Sequence, residues 1–269
     1  MSDRPVYLIA DLHLDGDRSG TTKLLLDFLS GPGREARALY ILGDLFEAWI
    51  GDDAMLPPAA AVATALRELG DHGVAVHFLA GNRDFLLGPA YCEHAGMTLL
   101  EAPVLLELAG GVVLLLHGDG LCTDDEEYQR FRKRVRNPEW QARMLARPIW
   151  FRRLLARLAR ALSQRRNRNK PAAIMDVNAQ AVEDCMLEHG VRLLIHGHTH
   201  RPAIHDLDFD GEPGHRVVLG DWRADKGSAV RLDAAGVSLL ELLPGEAGDV
   251  ELTSVDQRPL PWSKASENG

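Results

Sequence analysis

Leu193-Leu194-Ile195-His196-Gly197-His198-Thr199-His200-Arg201-Pro202 joins a short apolar run to a polar turn in which imidazoles alternate: His196, His198 and His200. Gly197 lets the backbone turn inside the motif, so that rings two positions apart can aim at one place. Neutral imidazole is the commonest side-chain ligand for metals. Taken alone, the stretch reads either as a metal-binding turn or as a surface loop. Four further stretches of the same design decide between the two.

Residues 6–10 form a nearly continuous apolar run that ends in Asp11-Leu12-His13. Such a run is the pattern of a strand buried on both faces. On extended backbone, positions two apart point the same way, which brings Asp11 and His13 together. Residues 38–42 repeat the pattern and end in Gly43-Asp44; residues 74–79 run into Gly81-Asn82-Arg83-Asp84; residues 112–116 end in His117-Gly118-Asp119. Each alone has a plain structural explanation, His117 as a satisfied core histidine for instance. Five apolar strands that all end in potential ligands do not. In an open α/β sheet the strand carboxyl ends share one edge, and ligands bind there.

Between the strands, residues 23–29 and 59–69 have helical periodicity, the second stopped by Gly70, and residues 175–188 form a helix before the triple-His strand. The loop 45–58 carries Phe46, Trp49, Ile50, Met55 and Leu56 among acids and prolines. It either folds onto the core or walls one side of a site. Residues 203–208, 215–219, 228–232 and 237–242 read as strands of an antiparallel sheet, and the chain from Pro244 onward carries too little apolar content to order. The class is therefore α/β.

Composition narrows the setting. The 269 residues are 46% hydrophobic with a mean hydropathy of −0.14, within the range of one large α/β unit. No apolar run approaches the roughly 20 residues that span a bilayer, and Met1-Ser2-Asp3-Arg4 lacks the pattern of a signal peptide. Cys92, Cys122 and Cys185 are scattered, with no CxxC spacing. These features predict a cytoplasmic protein. Net charge is −9, yet residues 130–170 hold 15 Lys or Arg against a single acid, Glu139. A segment so polarised meets something anionic: a nucleic acid, a phosphorylated substrate or a membrane face. The same segment breaks the strand–helix rhythm with about three helices, Pro138 and Pro148 marking helix starts. At 100° per residue, Trp150, Phe151, Leu154, Leu155, Leu158 and Leu162 share an arc of roughly 140°, opposite Arg152, Arg153, Arg157 and Arg160. Either this helix docks on its own protein, or it lies at a lipid interface.

Imidazole, carboxylate and amide oxygen without thiolate suit Mn²⁺, Fe or Zn²⁺. Seven candidate ligands, Asp11, His13, Asp44, Asn82, His117, His198 and His200, exceed the needs of one ion. Two ions are implied, with Asp44 the natural bridge. Such a pair clamps a phosphoryl group and lowers the pKa of water towards about 7, so no protein base is required.

Asp11-x-His13, Gly43-Asp44, Gly81-Asn82, His117 and Gly197-His198-x-His200 together resemble the five blocks of the calcineurin-like metallophosphoesterases. That resemblance implies a layered β-sandwich flanked by helices, with Asp11, His13, Asp44 and His200 on one ion and Asp44, Asn82, His117 and His198 on the other. Many relatives place His after the block-three Asn, where it protonates a leaving alkoxide; here the residue is Arg83. A leaving phosphate is a weak base that needs charge neutralisation more than a proton, and the guanidinium fork suits it. Arg83 thus favours pyrophosphate cleavage.

The run Gly43-Asp44-Leu45-Phe46-Glu47-Ala48-Trp49-Ile50-Gly51-Asp52-Asp53, with Gly81-Asn82-Arg83-Asp84 and the helical insert, is similar to the UDP-2,3-diacylglucosamine diphosphatases of lipid A biosynthesis, to about residue 240. This implies a single domain over 1–269 with a helical lid at about 122–172. It also implies Mn²⁺-dependent attack of water on the α-phosphorus of UDP-2,3-diacylglucosamine, giving UMP and 2,3-diacylglucosamine 1-phosphate, with peripheral attachment to the anionic cytoplasmic face of the inner membrane. By the same resemblance Asn82, Arg83 and His198 serve catalysis, and they contact substrate together with Asp125, Ser163, Asn167 and Lys170. No nucleic acid and no obligate protein partner are expected. Two rivals remain: another dinuclear-metal phosphodiesterase acting on nucleotides or nucleic acid, and a metal-free scaffold that binds membrane or protein.

Overall fold

The computed structural model describes residues 4–167 and 176–263, with the side chains of 163–167 and 247 also outside the description. Strands β1 (Val6–Ile9), β2 (Ala38–Ile41), β3 (Ala75–Leu79) and β4 (Thr98–Leu100) run parallel in the order β1-β2-β3-β4. On the other side of β1 an antiparallel meander, β10 (Gly227–Asp233), β11 (Gly236–Pro244) and β12 (Val250–Arg258), completes a seven-stranded sheet. A second, five-stranded sheet is ordered β5 (Val104–Leu108), β6 (Gly111–Leu115), β7 (Leu193–His196), β9 (Glu212–Val218), β8 (Ala203–Phe209).

Alternation along the strands explains the stacking, because successive side chains point to opposite faces. In β1 and β2, Val6, Leu8, Ala38 and Tyr40 pack against Val113, Leu115, Leu193 and Ile195 of the second sheet. Tyr7, Ile9, Leu39 and Ile41 face the other way, onto helices α1 (Ser19–Ser30), α2 (Ala59–Asp71) and α3 (Pro89–Ala95). The far face of the second sheet carries Leu114 and Leu194, covered by Val182 and Met186 of α7 (Ala179–Glu188). The result is a helix–sheet–sheet–helix sandwich, the layered α/β architecture that the resemblance implies. Strands buried on both faces need the near-continuous apolar runs read from the sequence.

Several expectations are corrected. The C-terminal strands do not form one antiparallel sheet: β8 and β9 join the second sheet, where β9 lies parallel to β7, while β10 and β11 join the first. Hairpin signals give local pairing but not the sheet in which a hairpin is received. The chain beyond Pro244 is not too polar to order; β12 is an edge strand of nine residues, half exposed, and an edge needs few apolar residues. Gly70 does not stop α2, which continues to Asp71 and closes at Gly73 with φ +83°. The helix after the insert starts at Ala179, within the predicted 175–188 but four residues later. The loop 45–58 folds inward: Phe46, Trp49 and Tyr91 form an aromatic cluster with centroids 4.6–5.6 Å apart, and Trp49 Nε1 donates to Asp52 Oδ1 at 2.9 Å. Met55 and Leu56 of the same loop stay exposed.

The insert consists of α4 (Glu126–Val135), α5 (Pro138–Leu145) and α6 (Ile149–Asn167). Asp125 and Asn137 cap the first two by accepting from the amides of Tyr128 and Trp140, and Pro138 opens α5. Helix α6 docks by two of its arginines, Arg152 and Arg160, while Arg153 and Arg157 are exposed. Arg152 is buried, donating to Asp53, to the Ile50 carbonyl and to the Arg147 carbonyl, whereas Trp150 (67% exposed), Leu154, Leu158 (59%) and Leu162 face outward. Periodicity locates the apolar stripe but cannot say which face of a helix turns inward; here it is the line through Arg152 and Arg160.

Candidate metal centre

The potential ligands converge, but not on one sheet edge. Asp11, Asp44 and Asn82 follow β1, β2 and β3 of the first sheet, whereas His117, His198 and His200 follow β6 and β7 of the second. The mouth between the two sheets is the site. Nor are Asp11 and His13 on extended backbone. Asp11, His13, Asp44, His198 and His200 have φ between +50° and +71°. The left-handed region is uncommon for non-glycine residues, and such strain collects where surrounding structure fixes a functional geometry. Backbone hydrogen bonds across the two loops hold it: His13 N donates to Asp44 O at 2.9 Å and Asp11 N to Gly43 O at 3.2 Å. Gly197 must lack a side chain, because a Cβ there would collide with Asp11 Oδ2.

All seven side chains come together in two overlapping groups. His13 Nε2 lies 3.3 Å from His200 Nε2, 4.0 Å from Asp11 Oδ1 and 3.9 Å from Asp44 Oδ2, and His200 Nε2 lies 3.4 Å from Asp11 Oδ1. On the other side His117 Nε2 sits 3.7 Å from Asp44 Oδ1 and 2.9 Å from Asn82 Oδ1, which is also 2.9 Å from His198 Nδ1. Asp44 therefore turns one oxygen to each group.

Two observations test whether a cation suits this cradle. Asp11 Oδ1 is buried and accepts no hydrogen bond, which for a carboxylate oxygen is costly unless a positive charge stands beside it. His117 is hydrogen-bonded through Nδ1 to the Leu42 carbonyl at 2.8 Å, so a neutral ring carries its lone pair on Nε2, facing the lone pairs of Asn82 Oδ1. A divalent ion satisfies both. The residues fit a divalent metal.

Electrostatics agree. Burial works to raise Asp11, but the imidazoles of His200, His117 and His13 outweigh it and hold the carboxyl at about 2. Burial lowers His198 to about 3, helped by His117, and a neutral ring is the form that ligates. Burial keeps Asp44 above the ordinary carboxylate range. Asp84 is raised to about 6 by burial and by Asp44; it accepts from the amides of Gly81 (2.7 Å), Leu45 (2.7 Å) and Asp44 (3.2 Å), clamping the two ligand loops together.

Of the other residues expected at the site, Arg83 lies beside the first group, its Nη1 3.6 Å from Glu47 Oε1. Asp125 stands at the start of α4, where Tyr128 stacks over His198 with centroids 6.1 Å apart. Lys170 and the side chains of Ser163 and Asn167 lie outside the described residues. Three buried carboxylates were not expected from the sequence: Glu47, Asp84 and Asp119. Asp119 accepts from Tyr128 Oη at 2.9 Å and Arg132 Nε at 2.7 Å, and Arg136 Nη2 lies 3.7 Å away. Asp84 and Asp119 each follow a ligand by two residues, and that spacing is the one signal that would have drawn notice to them; Glu47 and Tyr128 offer none.

The family model described as calcineurin-like phosphoesterase matches residues 4–202. The UDP-2,3-diacylglucosamine hydrolase of Pseudomonas entomophila is 50% identical over 236 residues, which is 87% of this chain and 97% of that protein. Its counterpart in Chromohalobacter salexigens is 51% identical over 226 residues, covering 84% and 92%. That of Pseudomonas aeruginosa is 50% identical over 233 residues, covering 86% and 96%.

Proposed function

Since the chain belongs to the UDP-2,3-diacylglucosamine hydrolases, a family of calcineurin-like phosphoesterases, we propose that it hydrolyses the pyrophosphate of UDP-2,3-diacylglucosamine to UMP and 2,3-diacylglucosamine 1-phosphate in lipid A biosynthesis. The observation that carries this reading is the pair of overlapping ligand groups with an arginine, rather than a histidine, at the position after Asn82.

We assign two Mn²⁺ ions to the centre. Asp11, His13, Asp44 and His200 would hold one, and Asp44, Asn82, His117 and His198 the other. When bound, such a pair supplies Lewis-acid activation of the attacking water and charge stabilisation at the α-phosphorus. The chain's own residues do the rest. Arg83 offers a planar fork of donors to the phosphate that departs, and a phosphate leaves without needing a proton. Asn82 and His198, side by side at 2.9 Å, orient the phosphoryl group. Asp125, Ser163, Asn167 and Lys170 would receive the glucosamine phosphate from the insert. Asp84 and the left-handed turns fix the ligand loops before substrate arrives, so little reorganisation is needed in the reaction.

Residues 1–269 are read as one domain, with 122–172 as a helical lid. No described helix is long and apolar enough to cross a membrane. The outward stripe Trp150, Leu154, Leu158 and Leu162, in an insert rich in arginine, supports peripheral attachment to an anionic inner-membrane surface, where an acylated substrate resides. The test is release of UMP from UDP-2,3-diacylglucosamine with added Mn²⁺, comparing wild type with Asn82→Ala and His200→Ala. Release that both variants lose is expected. An intact lipid substrate beside hydrolysed nucleotides or nucleic acid would overturn the proposal.

A further inference from the structure

Glu47 is a buried carboxylate that the metal assignment does not use. Its backbone is pinned by the amide donating to Leu14 O at 3.0 Å, next to the bridge between Leu14 and Phe46. The side chain is 8% exposed, and three cationic or titratable groups from three parts of the chain meet on it. Its Oε2 lies 3.2 Å from His13 Nδ1, and its Oε1 lies 3.2 Å from Arg160 Nε of α6 and 3.6 Å from Arg83 Nη1.

The other nitrogen of the same ring, His13 Nε2, faces Asp11, Asp44 and His200. His13 Nδ1 is buried and, among the described residues, no group meets it in hydrogen-bond geometry; Glu47 Oε2, 3.2 Å away, is the carboxylate set beside it and so the acceptor that decides where its proton sits. A proton on Nδ1 leaves Nε2 with a lone pair, and a carboxylate partner raises the basicity of that nitrogen. Glu47 also meets Arg83, beside the centre, and Arg160 of the insert. A single side chain thus spans the metal ligand, the phosphate-facing cation and the insert.

We propose that Glu47 is a positioning residue that fixes the His13 tautomer, aims its Nε2 into the centre, and holds Arg83 and, through Arg160, helix α6 over the same place. The proposal rests on the two-ion reading above. Its measurement is therefore independent of substrate: Mn²⁺ titration of metal-free protein by equilibrium dialysis and electron paramagnetic resonance. Wild type, Glu47→Gln, Glu47→Ala and Arg160→Ala would be compared, with thermal melts to check that each folds.

Glu47→Ala should weaken one of two Mn²⁺ sites by about 10–100-fold. Glu47→Gln should fall between it and wild type, because an amide oxygen can still accept from Nδ1–H but carries no charge. Arg160→Ala should bind Mn²⁺ as wild type does. Should Glu47→Ala fail to fold, Glu47→Gln decides. Wild-type affinity in both Glu47 variants would overturn the proposal, as would an equal loss in Arg160→Ala, which would make the insert the governing element. A wild-type protein that takes up no Mn²⁺ would sink the two-ion reading itself and this inference with it.

Discussion

The attachment of α6 through Arg152 makes a prediction whose size follows from the structure. Replacing Arg152 by Met keeps the aliphatic stem and removes the guanidinium that reaches Asp53, the Ile50 carbonyl and the Arg147 carbonyl. Leaving the buried Ile50 carbonyl without a donor costs about 1–3 kcal/mol. The pairing with Asp53, itself 58% exposed, adds about 0.2–1 kcal/mol after solvent screening. Docking of the helix should weaken by about 1.2–4 kcal/mol, which at 1.36 kcal/mol per decade is about 8- to 900-fold. Hydrogen exchange read by mass spectrometry is the assay. Exchange in α6 and in the loop 45–58 should accelerate by that factor, while β1, β2 and β7 keep their protection. Gly51→Ala should reproduce the effect, because Gly51 has φ +125° and a Cβ there would collide with Arg152 Nη1. Unchanged protection of α6, or an equal loss of protection in all strands, would refute the idea that this guanidinium fastens the insert.

Arg83→Ala should lower pyrophosphate cleavage by about 10²-fold while leaving p-nitrophenyl phosphate hydrolysis much less affected; equal losses would remove its role at the leaving phosphate. Burial works to raise Asp119, but His117, Arg132 and Arg136 outweigh it and hold its carboxyl below the ordinary range. Its contribution is thus present above an unfolded pKa near 4 and lost as pH falls below it. The gap in urea midpoint between wild type and Asp119→Asn should therefore narrow between pH 6 and pH 3, and a constant gap would contradict this. Leu154→Glu with Leu158→Glu, both on exposed positions, should change stability by no more than about 0.5 kcal/mol yet reduce sedimentation with anionic vesicles. Sedimentation equal to wild type would remove the stripe from any membrane role.

The sequence makes the ligand-bearing strand ends legible because β1, β2, β6 and β7 are buried on both faces, so their apolar runs are uninterrupted and the first polar residue after each stands out. It does not reveal that those ends belong to two sheets, since pairing between β6 and β7 or between β1 and β10 links segments far apart in the chain. Left-handed backbone at Asp11 and His13 is equally hidden: an Asp or His in that region is stabilised by hydrogen bonds to Gly43 and Asp44, which no local pattern encodes. The orientation of α6 is lost for a related reason. Its two arcs are both evident, but the acceptors for Arg152 and Arg160 lie about one hundred positions earlier, at Asp53, Ile50 and Glu47.

The division of ligands between the sheets has a mechanical consequence. Any cation resting between His13 and His200, or between Asn82 and His198, draws on both leaves of the sandwich and rivets its open end shut. Ion uptake is then also fold reinforcement: a ligand present at 100 times its dissociation constant adds about 2.7 kcal/mol to a protein that binds it only when folded. Chelation should lower the melting temperature by loosening the two leaves where they part, far from the helices that cover their outer faces.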